Sequence, residues 1–397
     1  MKINLLFVMP SLSAGGGERS LVNLLSQMNF EKYNVDLFLF SHEGIFMDLL
    51  PAEVNVLPLN EEYSRFSQPV LSSVRQLISS GSAKLAYSRM MFSLTNHTVK
   101  EVGLKEQDGW KYLSPSLSKI NKKYDAAIGF LEKTSIYFCV EKVDARKKIG
   151  WVHNDYDKLG LDPSFDEGYF DQLDHIVTVS DECSNVLKRR FPNQSYKVNV
   201  IHNIVSPKVI AHLASKERDD VYNRKQGELV ILSIGRLHEQ KGFELAVHTA
   251  KLLKDKGHSF QWNIIGEGDE REKLTELIAV NGLEKQVKLL GLKPNPYPYI
   301  KQADIYAQTS RFEGKAIAID EAKILGKPIL VTNFSTARDQ IEDGIEGLIV
   351  EMETEAVAAG ISRLMQEQGI RNRLSEHLSR LELGTEEEIE KLYRLLG

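Results

Sequence analysis

Short apolar or β-branched runs punctuate the chain: Ile3 to Val8, Val35 to Phe40, Val54 to Leu57, Ala126 to Phe130, Ile176 to Val179 and Val198 to Ile201, with a further strand ending at Trp151-Val152. Longer stretches with apolar positions at helical spacing lie between them. This alternation predicts βαβ crossovers and a mainly parallel sheet. After His202 to Pro207 the pattern gives way to a polar stretch, Ser215 to Glu228, which holds Lys216, Glu217, Arg218, Asp219, Asp220, Arg224 and Lys225. It restarts with Leu229 to Ile234, Trp262 to Ile265, Val287 to Leu289, Ile305 to Ala307, Pro328 to Val331 and Leu348 to Val350. The expected architecture is α/β, with two doubly wound halves, residues 1–205 and 206–384, facing each other across a cleft. Ligands of such sheets sit outside the carboxyl ends of the strands, so the loops that follow each strand are where chemistry is sought.

Composition narrows the class. With 397 residues, 42% hydrophobic, 26% charged and a formal net charge of -5, the chain reads as a soluble two-domain protein. Its longest apolar runs, such as Leu5 to Met9, fall far short of the roughly 18 to 20 residues of a membrane helix. The amino terminus runs into Pro10 and a glycine triplet with no small-residue cleavage site, so it reads as a first strand, and a cytoplasmic location is expected. Cys139 and Cys183 lack the spacing of a zinc site. The acidic balance argues against a dedicated nucleic-acid binder. Charge is nevertheless uneven: Arg65 to Lys123 holds ten Lys or Arg against Glu101, Glu106 and Asp108, a local excess of +7. Apolar residues at helical spacing run through the same segment. It suits either a helix lying on an anionic membrane surface or a solvated face over a buried stripe.

The strongest candidate chemistry is the run Ser310 to Ala322, which follows the strand Ile305 to Ala307. Its Glu313 and Glu321 stand eight apart. On one helix they would be separated by about 12 Å of rise, beyond the roughly 5 to 9.5 Å of a glycosidase acid/base pair. The same spacing can bracket an extended ligand, one carboxylate on sugar hydroxyls and the other on a ribose. Amides at Gly314, Lys315, Ala316 and Ile317 would then meet a phosphate at the helix start. A second cluster, Ser233 to Gly242, follows the first strand of the same half, and its Arg236 and Lys241 can clamp a diphosphate as a fork donor and a point charge. Gly266 in Ile265-Gly-Glu-Gly268 closes the next strand. In the first half, Gly15-Gly16-Gly17-Glu18-Arg19 precedes a helix expected to begin near Ser20 and can turn backbone amides toward an anion. It matches neither the dinucleotide fingerprint nor the ATP-type phosphate loop. His153 can hydrogen-bond a sugar hydroxyl or a developing charge. Asp155-Tyr156-Asp157 matches an Asp-x-Asp metal motif only as a three-residue pattern, which arises easily by chance.

Together the glycine triplet with Glu18, Gly235-Arg-Leu followed by Gln240-Lys-Gly, Ile265-Gly-Glu-Gly, and Arg311-Phe-Glu-Gly with Asp320-Glu-Ala and Gly326-Lys-Pro resemble family 4 of the retaining, nucleotide-sugar-dependent glycosyltransferases of GT-B type. The resemblance is strong from about Leu229 to Val350 and looser before Asp125. It implies twin Rossmann-like domains, no metal or other cofactor, and a final helix, Thr385 to Leu396, that crosses back to the first domain. It also implies that Arg236 and Lys241 hold the diphosphate, Glu313 and His153 the donor sugar, and Glu321 the ribose. Gly16 and Gly17 would lie near the phosphates, with Glu18 at the acceptor. Where many members have Pro or Phe-Gly after the first Glu-Gly, this chain has Lys315-Ala316.

The function so implied is transfer of a sugar from a nucleoside diphosphate, with UDP expected, to a hydroxyl of a glycan or lipid-linked acceptor in polysaccharide, teichoic-acid or glycolipid assembly. Rival readings are a nucleotide-sugar epimerase, a phosphorylase on the same plan, or a regulator that binds without turnover.

Overall fold

In the computed structural model, which describes residues 2–13, 15–99, 102–216 and 221–397, the strands are β1 (Ile3–Met9), β2 (Tyr33–Leu39), β3 (Asn55–Val56), β4 (Ile120–Gly129), β5 (Val143–Val152), β6 (His175–Thr178), β7 (Val198–Val200), β8 (Leu229–Ile234), β9 (Phe260–Ile265), β10 (Val287–Leu289), β11 (Ile305–Gln308), β12 (Ile329–Thr332) and β13 (Leu348–Val350). They make a seven-stranded sheet in the order β3-β2-β1-β4-β5-β6-β7 and a six-stranded sheet in the order β10-β9-β8-β11-β12-β13. Neighbouring strands run parallel throughout, for example Leu5 beside Val35 and Ala126, and Ile231 beside Trp262 and Ile305. Parallel strands covered on both faces are buried along their length. Leu5 to Met9 and Phe260 to Ile265 follow that rule, each at most 4% exposed.

In each sheet the strand order reverses beside the first strand of the unit, between β1 and β4 and between β8 and β11. At such a point consecutive crossovers leave on opposite faces and open a crevice at the strands' carboxyl ends. The chain divides into two compact units: Met1–Ser13, Leu24–Ile201 and Ile389–Gly397 form one, and Ala14–Asn23 with His202–Glu388 the other. The change at Ile201/His202 precedes the polar stretch that marks the boundary in the sequence. Of that stretch, residues 217–220 lie outside the described residues. Tyr222 is 3% exposed in the second unit's core, and Arg224 pairs with Asp304 at 3.4 Å.

Two elements differ from their sequence expectation. The first helix starts at Gly16 rather than near Ser20 and runs to Ser26. At the other end a 3-10 turn, Glu386–Glu388, precedes the last helix, Ile389–Leu396. In that helix Tyr393 stacks on Tyr33 with ring centroids 4.8 Å apart and accepts a hydrogen bond from the Asn29 amide.

Between β3 and β4 the chain inserts four helices, Glu61–Phe66, Val70–Ser79, Ala83–Thr98 and Val102–Leu113. They close over a small core of Phe66, Leu77, Leu85 and Ala86. No helix among the described residues is long and apolar enough to cross a membrane.

Candidate active site

The loops after β8 and β11 adjoin at the second unit's switch point, and glycine makes their approach possible. Gly242 ends the 3-10 turn Glu239–Lys241 in a left-handed conformation (φ +59°), and a Cβ there would lie 2.3 Å from the Thr309 carbonyl. Hydrogen bonds stitch the loops together: the Arg311 amide donates to the Gln240 carbonyl at 2.7 Å, and the Gln240 side chain donates to the Phe312 carbonyl at 3.0 Å. This geometry brings Lys241 to Glu313. The Lys241 ammonium lies 2.6 Å from Glu313 Oε1, which also accepts from Ser310 Oγ at 2.6 Å and Gln308 Nε2 at 3.1 Å. Glu313 is 4% exposed. Four residues C-terminal to it the helix Ile317–Ile324 begins, so Glu313 lies in the preceding loop and only Glu321 is helical.

Glu321 is 1% exposed, and Oε1 accepts from Arg19 Nη1 at 3.1 Å and from the Tyr297 hydroxyl at 3.0 Å. Arg19 also donates to the Tyr297 oxygen at 2.6 Å, which closes a triangle among the three side chains. Burial pushes the Glu321 carboxyl above its ordinary range, while Arg19 and the Tyr297 hydroxyl pull it back. Neither Arg19 nor Tyr297 was assigned a role from the sequence. Arg19 lies inside the quoted glycine motif, but nothing local to Tyr297 signals its contact with a residue twenty-four positions on.

Arg236 is half-exposed and donates to Glu18 Oε1 at 3.2 Å. Glu18 folds back over the glycines: a Cβ on Gly15 would fall 2.0 Å from its Oε2. Glu18, expected at the acceptor, thus meets a cation expected at the diphosphate. Gly16 and Gly17 lie in the helix's first turn rather than ahead of it, and Gly16 sits next to Ile317, whose Cγ2 would be 3.9 Å from an added Cβ.

Of the amides expected to meet a phosphate, that of Ala316 has a partner within the protein. Ala316 donates its amide to Gln340 Oε1 at 2.9 Å and accepts from Gln340 Nε2 at 3.1 Å, so Gln340 occupies that amide. Lys315 accepts at its carbonyl from Asn203, and its ammonium lies 3.9 Å from Asp320. Ile317 is 5% exposed in the core, and Gly314 precedes this buttressed turn. Gly266 has a steric reason to be glycine: at φ +152° a Cβ would sit 1.9 Å from the Gly235 carbonyl oxygen, so it lets the ends of β8 and β9 close together.

In the first unit, His153 follows β5 and is 8% exposed. Its ring packs against Phe130, centroids 4.8 Å apart, and its Nε2 has no hydrogen-bond partner. Burial drives its pKa down to about 4, against the opposing pull of Glu132, so the imidazole is neutral near pH 7. Glu132 went unrecognised in the sequence. It follows β4 and is 8% exposed; it accepts from the His153 amide at 3.0 Å and from the Asn154 side chain at 2.8 Å. The adjacent Lys133 is the one non-glycine residue with positive φ (+70°) among the described residues. Such strain clusters at functional turns. Position could have singled out Glu132, since the run Ala126 to Phe130 marks the carboxyl end of β4 at the switch point, two residues ahead of it.

The Asp-x-Asp motif is structural: Asp155 caps a 3-10 turn, and Asp157 pairs with Arg189 and Arg190. The described residues hold no group of three or more His, Cys, Asp or Glu positioned to share a metal ion.

Two parallel Rossmann-like units, with cations and carboxylates at the second switch point, define the GT-B class. In agreement, the chain superimposes on the Anabaena protein HepE in complex with UDP-glucose with a TM-score of 0.70, at 15% identity, over 99% of each chain. Residues 215–379 match the family model of glycosyl transferases group 1. It is 37% identical over 147 residues to the amylovoran biosynthesis glycosyltransferase AmsK of Erwinia amylovora, covering 35% of this chain and 36% of AmsK. A match of 27% over 187 residues, 47% of this chain and 49% of the relative, is to the Campylobacter jejuni N-acetylgalactosamine-N,N'-diacetylbacillosaminyl-diphospho-undecaprenol 4-alpha-N-acetylgalactosaminyltransferase. The chain's matches thus span less than half the length of these curated relatives.

Proposed function

We propose that the protein is a retaining glycosyltransferase that moves a sugar from a nucleoside diphosphate, UDP in the first instance, to a hydroxyl of a glycan or lipid-linked acceptor in cell-envelope polysaccharide, teichoic-acid or glycolipid assembly. The observation that carries this reading is the convergence of Lys241 and Glu313, with Arg236 nearby in sequence, at the carboxyl ends of β8 and β11. The activities for which these relatives are named point the same way, as does the UDP-glucose in the HepE structure.

In this scheme the bond between the anomeric carbon and the diphosphate oxygen breaks, and the acceptor oxygen bonds to that carbon on the same face. The acceptor proton passes to the departing phosphate, giving a glycoside and a nucleoside diphosphate. No side-chain base is required. Arg236 and Lys241 carry the charge that grows on the diphosphate, so no metal is needed for that purpose. Glu313 orients Lys241 and takes sugar hydroxyls, while Glu321 takes the ribose. His153, neutral and with Nε2 unpartnered, is suited to a sugar hydroxyl. The protein works in the cytoplasm, and its basic segment 65–123 contacts an anionic membrane where lipid-linked acceptors reside.

The test is incubation with UDP- and GDP-sugars with and without acceptor alcohols, following nucleotide release. Acceptor-dependent release of UDP supports the proposal. Conversion of the donor without acceptor would indicate an epimerase, dependence on inorganic phosphate a phosphorylase, and binding without turnover a regulator.

A further inference from the structure

The helices Val70–Ser79 and Ala83–Thr98 bury one side in their shared core through Leu77, Leu85 and Ala86. Their other side is apolar and uncovered. Leu71 (89% exposed), Ile78 (59%), Tyr87 (57%), Met90 (48%) and Leu94 (52%) are five of the ten large exposed hydrophobic residues among the described residues. Leu71, Val74, Arg75, Ile78 and Met90 line a groove of about 560 Å³ between the helices. Spacings of three, four and seven put Leu71, Val74 and Ile78 on one face.

The two helices themselves carry charge of one sign. From Tyr63 to Val99, thirty-seven residues, no Asp or Glu occurs, where 55 acidic residues in 397 would place about five. The structure also narrows the basic segment. Lys122 and Lys123 belong to β4 and pair with Asp36 and Asp144, Arg65 pairs with Glu61, and Arg89 lies over the Phe66 ring and donates to the Gln68 carbonyl. On the two helices themselves Arg75 and Lys84 are exposed, and neither forms an ion pair among the described residues.

We propose that the outer face of these two helices is a docking surface for an anionic phospholipid bilayer, with Leu71, Ile78 and Met90 entering the headgroup boundary and Arg75 and Lys84 meeting lipid phosphates. An acidic protein whose acidic residues are missing from its most apolar exposed face is built to approach a negative surface there. The inference rests on the proposed function for its purpose, bringing the enzyme to lipid-linked acceptors.

The experiment is co-sedimentation of the full chain with vesicles of phosphatidylcholine alone or mixed with phosphatidylglycerol. Wild type is expected to bind only the mixed vesicles, and binding is expected to weaken as salt rises from about 0.1 to 1 M and the Debye length shrinks from ~10 to ~3 Å. Leu71→Glu/Ile78→Glu is expected to lose at least about tenfold in partitioning, and Arg75→Ala/Lys84→Ala about fivefold per cation. Both pairs are solvent-exposed, and circular dichroism verifies their folding. Absence of binding to mixed vesicles, or equal binding by wild type and both variants, overturns the proposal. So does a dimer in solution that Leu71→Glu/Ile78→Glu splits, since the face would then belong to a second copy. UDP binding by the same variants is read in parallel: unchanged nucleotide affinity with lost vesicle binding supports docking, whereas intact vesicle binding with no nucleotide affinity in any form refutes the donor chemistry alone.

Discussion

Replacing Lys241 with alanine separates the catalytic from the structural contribution of the cation. In the folded protein the ammonium lies 2.6 Å from Glu313 Oε1, and the two side chains are 18% and 6% exposed. Breaking a buried pair by removing one partner typically costs about 3 to 5 kcal/mol, because the other charge stays buried. Here Ser310 and Gln308 continue to donate to Glu313, so the expected loss falls at or below the bottom of that range, ~2 to 3 kcal/mol. Catalysis loses a cation at the leaving diphosphate, expected to cut kcat by about 100-fold or more, some 2.7 kcal/mol of barrier. The two effects come apart in Lys241→Met/Glu313→Gln, which removes both charges and recovers stability without recovering turnover. Thermal melting and steady-state nucleotide release on the single and double variants read the two quantities. Turnover of Lys241→Ala within threefold of wild type, at temperatures where it is folded, would refute a role for the ammonium in charge stabilisation.

Other outcomes follow from the same geometry. His153 is held at a pKa of about 4 against an unfolded value near 6.5, so the unfolded chain binds a proton first as pH falls. Its contribution is present above pH 6.5 and is lost progressively toward pH 4, up to ~3 kcal/mol, and His153→Gln should flatten that part of a melting-temperature profile. Gly266→Ala puts a methyl 1.9 Å from the Gly235 carbonyl oxygen and should destabilise by more than about 2 kcal/mol in chemical denaturation. Glu132→Ala removes the acceptor of the His153 amide and the Asn154 side chain; kcat/KM should fall about tenfold or more while UDP affinity, read in the other unit, stays within twofold. Equal loss of UDP affinity would contradict a local positioning role.

Strand positions were legible because burial on both faces leaves almost no polar residues in a parallel strand, and Leu229–Ile234 and Val287–Leu289 coincide with their sequence readings. β4 and β5 were read short or only by their ends. Their first halves, Ile120 to Tyr124 and Val143 to Lys147, carry Lys and Asp residues that break the apolar signal. The helix after the glycine triplet was placed late because glycine is a poor helix former, yet at Gly16 and Gly17 the first turn needs no side chain. Arg236, Lys241 and Glu313 stand out as candidates in the sequence because each sits one loop beyond a strand end. Tyr297, Gln340 and the Arg19 contact were not, since each depends on pairings distant in sequence that no local pattern encodes.

The proposed function requires a nucleoside diphosphate held by the second unit. Calorimetric titration of UDP and GDP into wild type and Glu321→Ala, without added metal, tests it most directly. Wild type is expected to bind UDP and Glu321→Ala to lose that binding; absence of UDP and GDP binding by wild type, or undiminished binding in the variant, overturns the donor assignment.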